Sequence, residues 1–201
     1  MQEVFYEECA TIVNEKSATL KYNLLKFLSI MSYFCVFVWV ILIYFAYPLN
    51  NFSIIDVIFI IFPIIVFVAS GIFLGKFKNK TYIEYDYTFI SGSIRIAQVF
   101  KNIKRKFLTK FDCKDIEKLG KYDSELYRKY SIMPNVNKMI LTSNNTANYN
   151  KDFYYMVVNT DAEKKLLIFE CTQTFIVNVI KFTNKTAIDD EFRKELLSQK
   201  K

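Results

Sequence analysis

The architecture is decided by FLSIMSYFCVFVWVILIYFAYPL at residues 27–49, followed seven residues later by VIFIIFPIIVFVASGIFL at 57–74. Neither run contains a Lys, Arg, Asp or Glu. At a helical rise of about 1.5 Å per residue they reach roughly 34 and 27 Å, against a hydrocarbon core of about 30 Å. The second run holds 14 Ile, Val, Leu or Phe among its 18 residues. At roughly −0.3 to −0.6 kcal/mol each, these favour insertion by about −4 to −8 kcal/mol. Pro63 and Gly71 weaken that helix, but lipid tolerates them with a kink. The reading is a transmembrane helical hairpin with spans at about 27–49 and 57–74.

The connection between the runs supports it. Ser53-x-x-Asp56 has capping-box spacing, with Asp56 favourable at the positive end of the second helix. A proton-carrying aspartate is expected deep in the bilayer with a polar partner, and Asp56 sits at its margin. Tyr44 and Tyr47 fall near the outer interface, where amphipathic rings prefer to lie. Gly71-x-x-x-Gly75 forms a small-residue patch suited to contact between the two spans. Lys16, Lys21 and Lys26 precede the first span and Lys76, Lys78 and Lys80 follow the second, while the connection carries none. Those six topology determinants place both termini on the cytoplasmic side of the cell membrane. The acidic amino terminus and the length of the first run exclude a cleaved signal, so 27–49 is expected to remain as an anchor.

Composition narrows the chemistry. The 201 residues are 52% hydrophobic and 17% aromatic, with a formal net charge of +7. The part from Lys76 onward carries a net +9, which favours acidic partners such as an anionic leaflet. The chain has no histidine, which removes the commonest general base, metal ligand and pH switch together. Cys9, Cys35, Cys113 and Cys171 are far apart and have neither zinc-ligand nor redox spacing, so free thiols are expected.

After Lys80 the pattern changes to alternation. Ile83, Tyr85, Tyr87 and Phe89 fall on one strand face, with Glu84, Asp86 and Thr88 on a wet one. Ser91-Gly92-Ser93 turns the chain, and 94–100 returns as a strand. Lys101 to Lys106 reads as a basic turn, and 107–111 as a third strand with Phe107, Thr109 and Phe111 on one side. Residues 112–119 are a helical turn or an extended bridge. A short helix is expected at 123–130, ended by Pro134, and a strand at 139–141. The Asn-, Ser- and Thr-rich stretch 142–152 reads as an exposed loop. A second hairpin follows, with strands at 153–158 and 166–170 around a turn at 159–163. Helices follow at 172–182, with Thr172 as N-cap, and at 189–199, with Phe192, Leu196 and Leu197 on one face. The fold class is α+β in three parts: an N-terminal cytoplasmic segment at 1–26, the hairpin at 27–75, and a small antiparallel β-rich cytoplasmic domain with a C-terminal helix at 76–201.

This arrangement resembles the bacterial pleckstrin-homology-like (PH-like) domains that follow paired membrane spans. The segment YDYTFISGSIRI at 85–96, followed by Lys104-Arg105-Lys106, is similar to a family of small clostridial (Firmicutes) two-span membrane proteins. The resemblance runs from the first span onward. It implies the fold, and its motif is structural rather than catalytic.

Lys101, Lys104, Arg105, Lys106 and Lys110 fall around one hairpin and are the candidate contacts to anionic lipid headgroups, at about 1 kcal/mol each near a charged surface. The plainer reading is a solvated turn that supports topology. Nucleic acid is disfavoured, because no recognition motif accompanies the charge. Asp112, Asp115 and Glu117 are interleaved with lysines, so mixed surface charge is preferred to a cation site. Tyr82, Tyr85 and Tyr87 read as packing residues. No metal or cofactor is expected. The residues point to a non-enzymatic, membrane-anchored protein whose cytoplasmic domain binds a protein partner or the inner leaflet. The competing reading is an accessory subunit of a transport or secretion complex, with the hairpin packed against other membrane subunits.

Overall fold

The computed structural model describes residues 4–46, 53–101, 103–160 and 163–198, and it divides into two compact units. One is a helical hairpin, Asn14–Tyr82. The other is an α+β body built from the chain up to Val13 together with Ile83 onward.

In the hairpin, α1 covers Glu15–Ala46 and α2 covers Ile54–Thr81, both helices long and apolar enough to cross a membrane. Each outruns its charge-free segment. No Gly or Pro lies between Glu15 and Phe27, and the Asn14 side chain accepts from Ser17 N at 3.1 Å. The first helix therefore starts well before the apolar run. The second continues through Lys76, Lys78 and Lys80, whose charges suit the negative end of the helix. All six expected topology lysines are thus helical. Ser53 and Asp56 form the expected capping box, with Asp56 Oδ2 accepting from Ser53 N at 3.0 Å. Tyr47, residues 50–52 and Gln199 lie outside the described residues.

The small-residue patch closes the hairpin on itself. A Cβ on Gly71 would stand 2.8 Å from the Tyr33 ring, and Ser29 Oγ donates to the Gly71 carbonyl at 2.8 Å. Trp39 Nε1 donates to the Ile60 carbonyl at 3.3 Å. That carbonyl neighbours the one on Phe59, which Pro63 deprives of its helical donor. Only 6% of each apolar window is buried, so side chains such as Phe37, Phe45, Phe59 and Phe62 face outward.

The α+β body begins with a strand that the sequence did not signal. β1, Phe5–Ala10, pairs antiparallel with β2, Ile83–Ile90, from Ala10↔Tyr85 to Phe5↔Ile90. The stretch 1–26 is therefore not a separate segment, and the body does not start at 76. Its first part is an edge strand, and the hairpin is inserted into the β1–β2 connection. The inward positions of β1 are Tyr6, Glu8 and Ala10, only one of them aliphatic, so hydrophobic alternation was too weak to reveal it.

β2, β3 (Ser93–Phe100) and β4 (Lys104–Asp112) form the expected meander, giving the sheet order β1-β2-β3-β4. Ser91 and Gly92, with φ of 45° and 95°, make the two-residue turn between β2 and β3; positive φ at both central positions is the demand that glycine meets without strain. The bridge at 112–119 resolves into a 3₁₀ turn, Cys113–Asp115, and a strand β5, Ile116–Lys121. After α3 (Glu125–Ile132) come β6 (Val136–Ile140), β7 (Asp152–Asn159) and β8 (Lys164–Cys171), giving a second sheet of order β5-β7-β8-β6. β6 runs parallel to β8, and the other pairs are antiparallel. α4 (Gln173–Phe182), capped by Thr172, and α5 (Asp190–Ser198) complete the chain.

The core lies between the sheets. Tyr87, Phe89, Ile94 and Ile96 meet Met156, Leu167 and Phe169, and Phe175, Ile176 and Val179 of α4 close it. Phe192 of α5 joins them, but Leu197 is 62% exposed and does not share that face. A second cluster sets Tyr127 of α3 against Tyr155, Val157, Leu166 and Ile168.

One polar expectation is corrected and another gains detail. Glu84 and Asp86 are buried rather than on a wet face; Asp86 stands between Cys9 and Ala97 on neighbouring strands. The stretch 142–151 is the expected loop, with Tyr149 91% exposed, and its polar side chains turn inward at particular points. It wraps the carboxylate of Glu170, which has no accessible surface and accepts from Thr142 Oγ1 (2.5 Å), Asn144 Nδ2 (2.7 Å) and Asn148 N (2.9 Å). The same asparagines donate to the Thr11 carbonyl, and Ser143 Oγ donates to that of Ile83. The loop thereby pins the chain where it leaves the body and where it returns.

Candidate functional site

β4 is an edge of the first sheet, and its pairing with β3 decides where the basic residues point. Before the irregularity, Lys104 faces Phe100, Arg105 faces Val99, Lys106 faces Gln98 and Phe107 faces Ala97. Beyond it, Thr109 faces Ile96, Lys110 faces Arg95 and Phe111 faces Ile94. Leu108 is an extra residue, a β-bulge. Paired residues share a face, and Ile96 and Ala97 lie on opposite faces. Phe107 therefore points away from Thr109 and Phe111, although strict alternation put all three together. The bulge turns it out of the core, and it is 62% exposed.

The expected basic turn shortens accordingly. Lys101, with φ 45°, begins the turn, while Lys104, Arg105 and Lys106 already belong to the strand. Their charges divide between two faces. Lys104 and Lys106 lie on one, and Arg105 and Lys110 lie on the other with Arg95. Arg105 Nε pairs with Asp86 Oδ2 at 3.2 Å, so that cation is committed. Arg95 and Lys110 stand directly opposite each other, an arrangement that is destabilising in a bare sheet. Neither takes part in an ion pair among the described residues. Residues 103–107 are all exposed, with Ile103 at 79%. Arg95, Ile103 and Phe107 are the surface residues that sequence reasoning missed. Hairpin register alone finds Arg95, because the turn at Ser91-Gly92 fixes its facing strand.

The other acidic candidates are dispersed. Asp115 caps its own 3₁₀ turn, and Glu117 turns to Lys164 at 2.6 Å and to the Tyr130 hydroxyl at 3.1 Å. The hydrogen bond from Lys164 holds the Glu117 carboxyl below its ordinary value. Among the described residues, no group of three or more Cys, Asp or Glu is placed to hold a metal. A cleft of about 310 Å³ is lined by Lys121, Asp123, Asp189 and Glu195. In it Lys121 bridges Glu195 at 3.0 Å and Asp152 at 3.7 Å. The Cys9 thiol is pushed up to about 12 by burial, with a hydrogen bond to Asp86 adding to the effect. Burial likewise pushes Cys113 up to about 12. Neither is an activated nucleophile.

Two sheets and a following helix around one core describe a fold, and the sequence comparison supplies its family. The family model described as bacterial PH-like domain (DUF6106) matches residues 2–189. The chain belongs to that family. The match takes in β1, both long helices and both sheets of the PH-like body, and it stops at Asp189, immediately before α5. No curated protein and no solved structure matches the chain. On the ribbon of β3 and β4, exposed cations lie beside two exposed apolar side chains, Ile103 and Phe107.

Proposed function

We propose that this chain is a two-span membrane protein of the clostridial type, with both termini cytoplasmic. Its PH-like body acts as a non-catalytic module that docks on the anionic inner leaflet or on a protein partner. The observation that carries the reading is the hairpin. Its apolar windows are only 6% buried, whereas a core helix of a soluble protein would be mostly covered. An outward apolar surface of that extent calls for a nonaqueous surrounding. The six lysines near the hairpin's open ends, and none in its connection, favour a cytoplasmic body. The basic ribbon, the lack of histidine and the high pKa of Cys9 and Cys113 support docking rather than catalysis.

Single-cysteine variants in a background lacking the native cysteines test the topology. A membrane-impermeant maleimide applied to intact cells is expected to label a probe at Asn51 and to spare probes at Lys80 and Lys200. Labelling at Lys200 without permeabilisation would overturn the reading. Co-purification in mild detergent tests the module. Stable association with a polytopic membrane protein that persists without the PH-like body would favour an accessory subunit instead.

A further inference from the structure

We propose that the β3–β4 ribbon is a bilayer-inserting element, in which Phe107 and Ile103 enter the headgroup–acyl boundary while Arg95, Lys110, Lys104 and Lys106 hold lipid phosphates. It rests on the docking reading above and commits it to an anionic membrane.

Three observations converge on the ribbon. The bulge at Leu108 spends a residue of regular pairing and rotates one large apolar side chain out of the core. Bulges re-aim side chains in this way near functional sites. Ile103 and Phe107 then bracket Lys104, Arg105 and Lys106 along a strand exposed on both faces. Arg95 and Lys110 face each other across the ladder, and an anion between them would turn a repulsive pair into a bidentate contact.

Edge protection is the competing account, since charged residues on an edge strand discourage pairing with other chains. It explains Lys104 and Lys106. It does not explain an outward Phe107 or an outward Ile103, which make an unprotected edge more adhesive. An acidic peptide strand is the other possible occupant. It would use the backbone edge and one face, leaving the cations of the other face unused. A bilayer surface engages both faces of a projecting ribbon at once, with apolar tips below the phosphates and cations level with them.

The full-length chain, reconstituted in lipid nanodiscs, tests this. Phe107→Trp in a Trp39→Phe background puts the single indole at the ribbon, and acyl-brominated phosphatidylcholine reports its contact with the hydrocarbon boundary. Strong quenching is expected in discs containing phosphatidylglycerol and weak quenching in phosphatidylcholine alone. Arg95→Gln with Lys110→Gln should cut the quenched fraction about tenfold at low salt, and Ile103→Ser should cut it by a similar factor. Circular dichroism checks that each variant remains folded. Absence of quenching in both lipids would overturn insertion, as would equal quenching in both. Shielding of the indole from aqueous iodide without lipid quenching would also overturn it, in favour of a protein-covered ribbon. Energy transfer from the indole to headgroup-labelled lipid tests the parent reading separately: transfer without bromine quenching keeps docking and removes insertion.

Discussion

Glu8 in β1 lies 3.1 Å from Lys151 Nζ, in the turn that leads into β7. The two side chains are only 7% and 14% exposed. The same carboxylate accepts from the backbone N and the hydroxyl of Thr172, each at 2.9 Å, so one residue of the edge strand joins the loop before β7 to the cap of α4. Lys151→Ala leaves Glu8 with its Thr172 donors but without its cation. A loss of about 3 kcal/mol is expected, at the low end for breaking a buried pair. Urea unfolding of the detergent-solubilised chain measures it. A Glu8→Ala/Lys151→Ala double variant should lose less than the sum of the two singles, and strict additivity would show that the pair is not coupled.

Insertion of the hairpin between β1 and β2 makes the PH-like body discontinuous in sequence. A fragment starting at Ile83 lacks β1, Glu8 and the Thr11 carbonyl that anchors Asn144 and Asn148. It is expected to aggregate or to lack a cooperative thermal transition. A variant in which residues 14–82 are replaced by a short Gly-Ser linker keeps the Ala10↔Tyr85 register and should fold as a soluble monomer. Equal stability of the two proteins would show that β1 is dispensable.

Cys9 is expected to be slow towards alkylation. With a pKa near 12, about one thiol in ten thousand is ionised at pH 8, against about a quarter for an ordinary cysteine. Asp86→Asn removes the charge that opposes the thiolate, so Cys9 labelling should accelerate at fixed pH. Mass-spectrometric mapping of iodoacetamide adducts reads this out, and an unchanged rate would leave burial as the whole cause.

Glu117 provides the acid-side dependence. Its carboxyl is held below the ordinary value chiefly by Lys164. A depressed carboxyl stabilises the fold at pH above its unfolded value, and the contribution disappears as pH falls through the folded one. The Glu117 side chain is 35% exposed, and solvent screening holds its contribution to no more than about 1 kcal/mol. Glu117→Gln should lower the melting temperature slightly near pH 6, and the gap to the parent should shrink as pH falls through the folded value. A gap that widens on acidification would contradict the assignment.

The elements legible in the sequence were those whose signal is local. Charge-free runs long enough to cross a bilayer, a capping box three residues wide and a Ser-Gly turn between alternating strands each rest on neighbouring residues. The helix at Gln173–Phe182 was readable from its apolar spacing despite its β-branched content.

What stayed hidden depends on partners distant in the chain. β1 is a strand because β2 offers it a ladder, across an insertion of two helices. The 142–151 stretch has a loop's composition, and its order comes from a buried carboxylate in β8. The bulge at Leu108 is invisible to alternation, because a single extra residue inverts every facing after it, and only pairing with β3 shows where it falls. The sequence by itself therefore determined the apolar hairpin and the strand meander, through periodicity and the absence of charge. The tertiary structure alone decided that the chain's first strand completes the sheet, and that Phe107 faces outward among the cations, because strand register is a property of two segments and never of one.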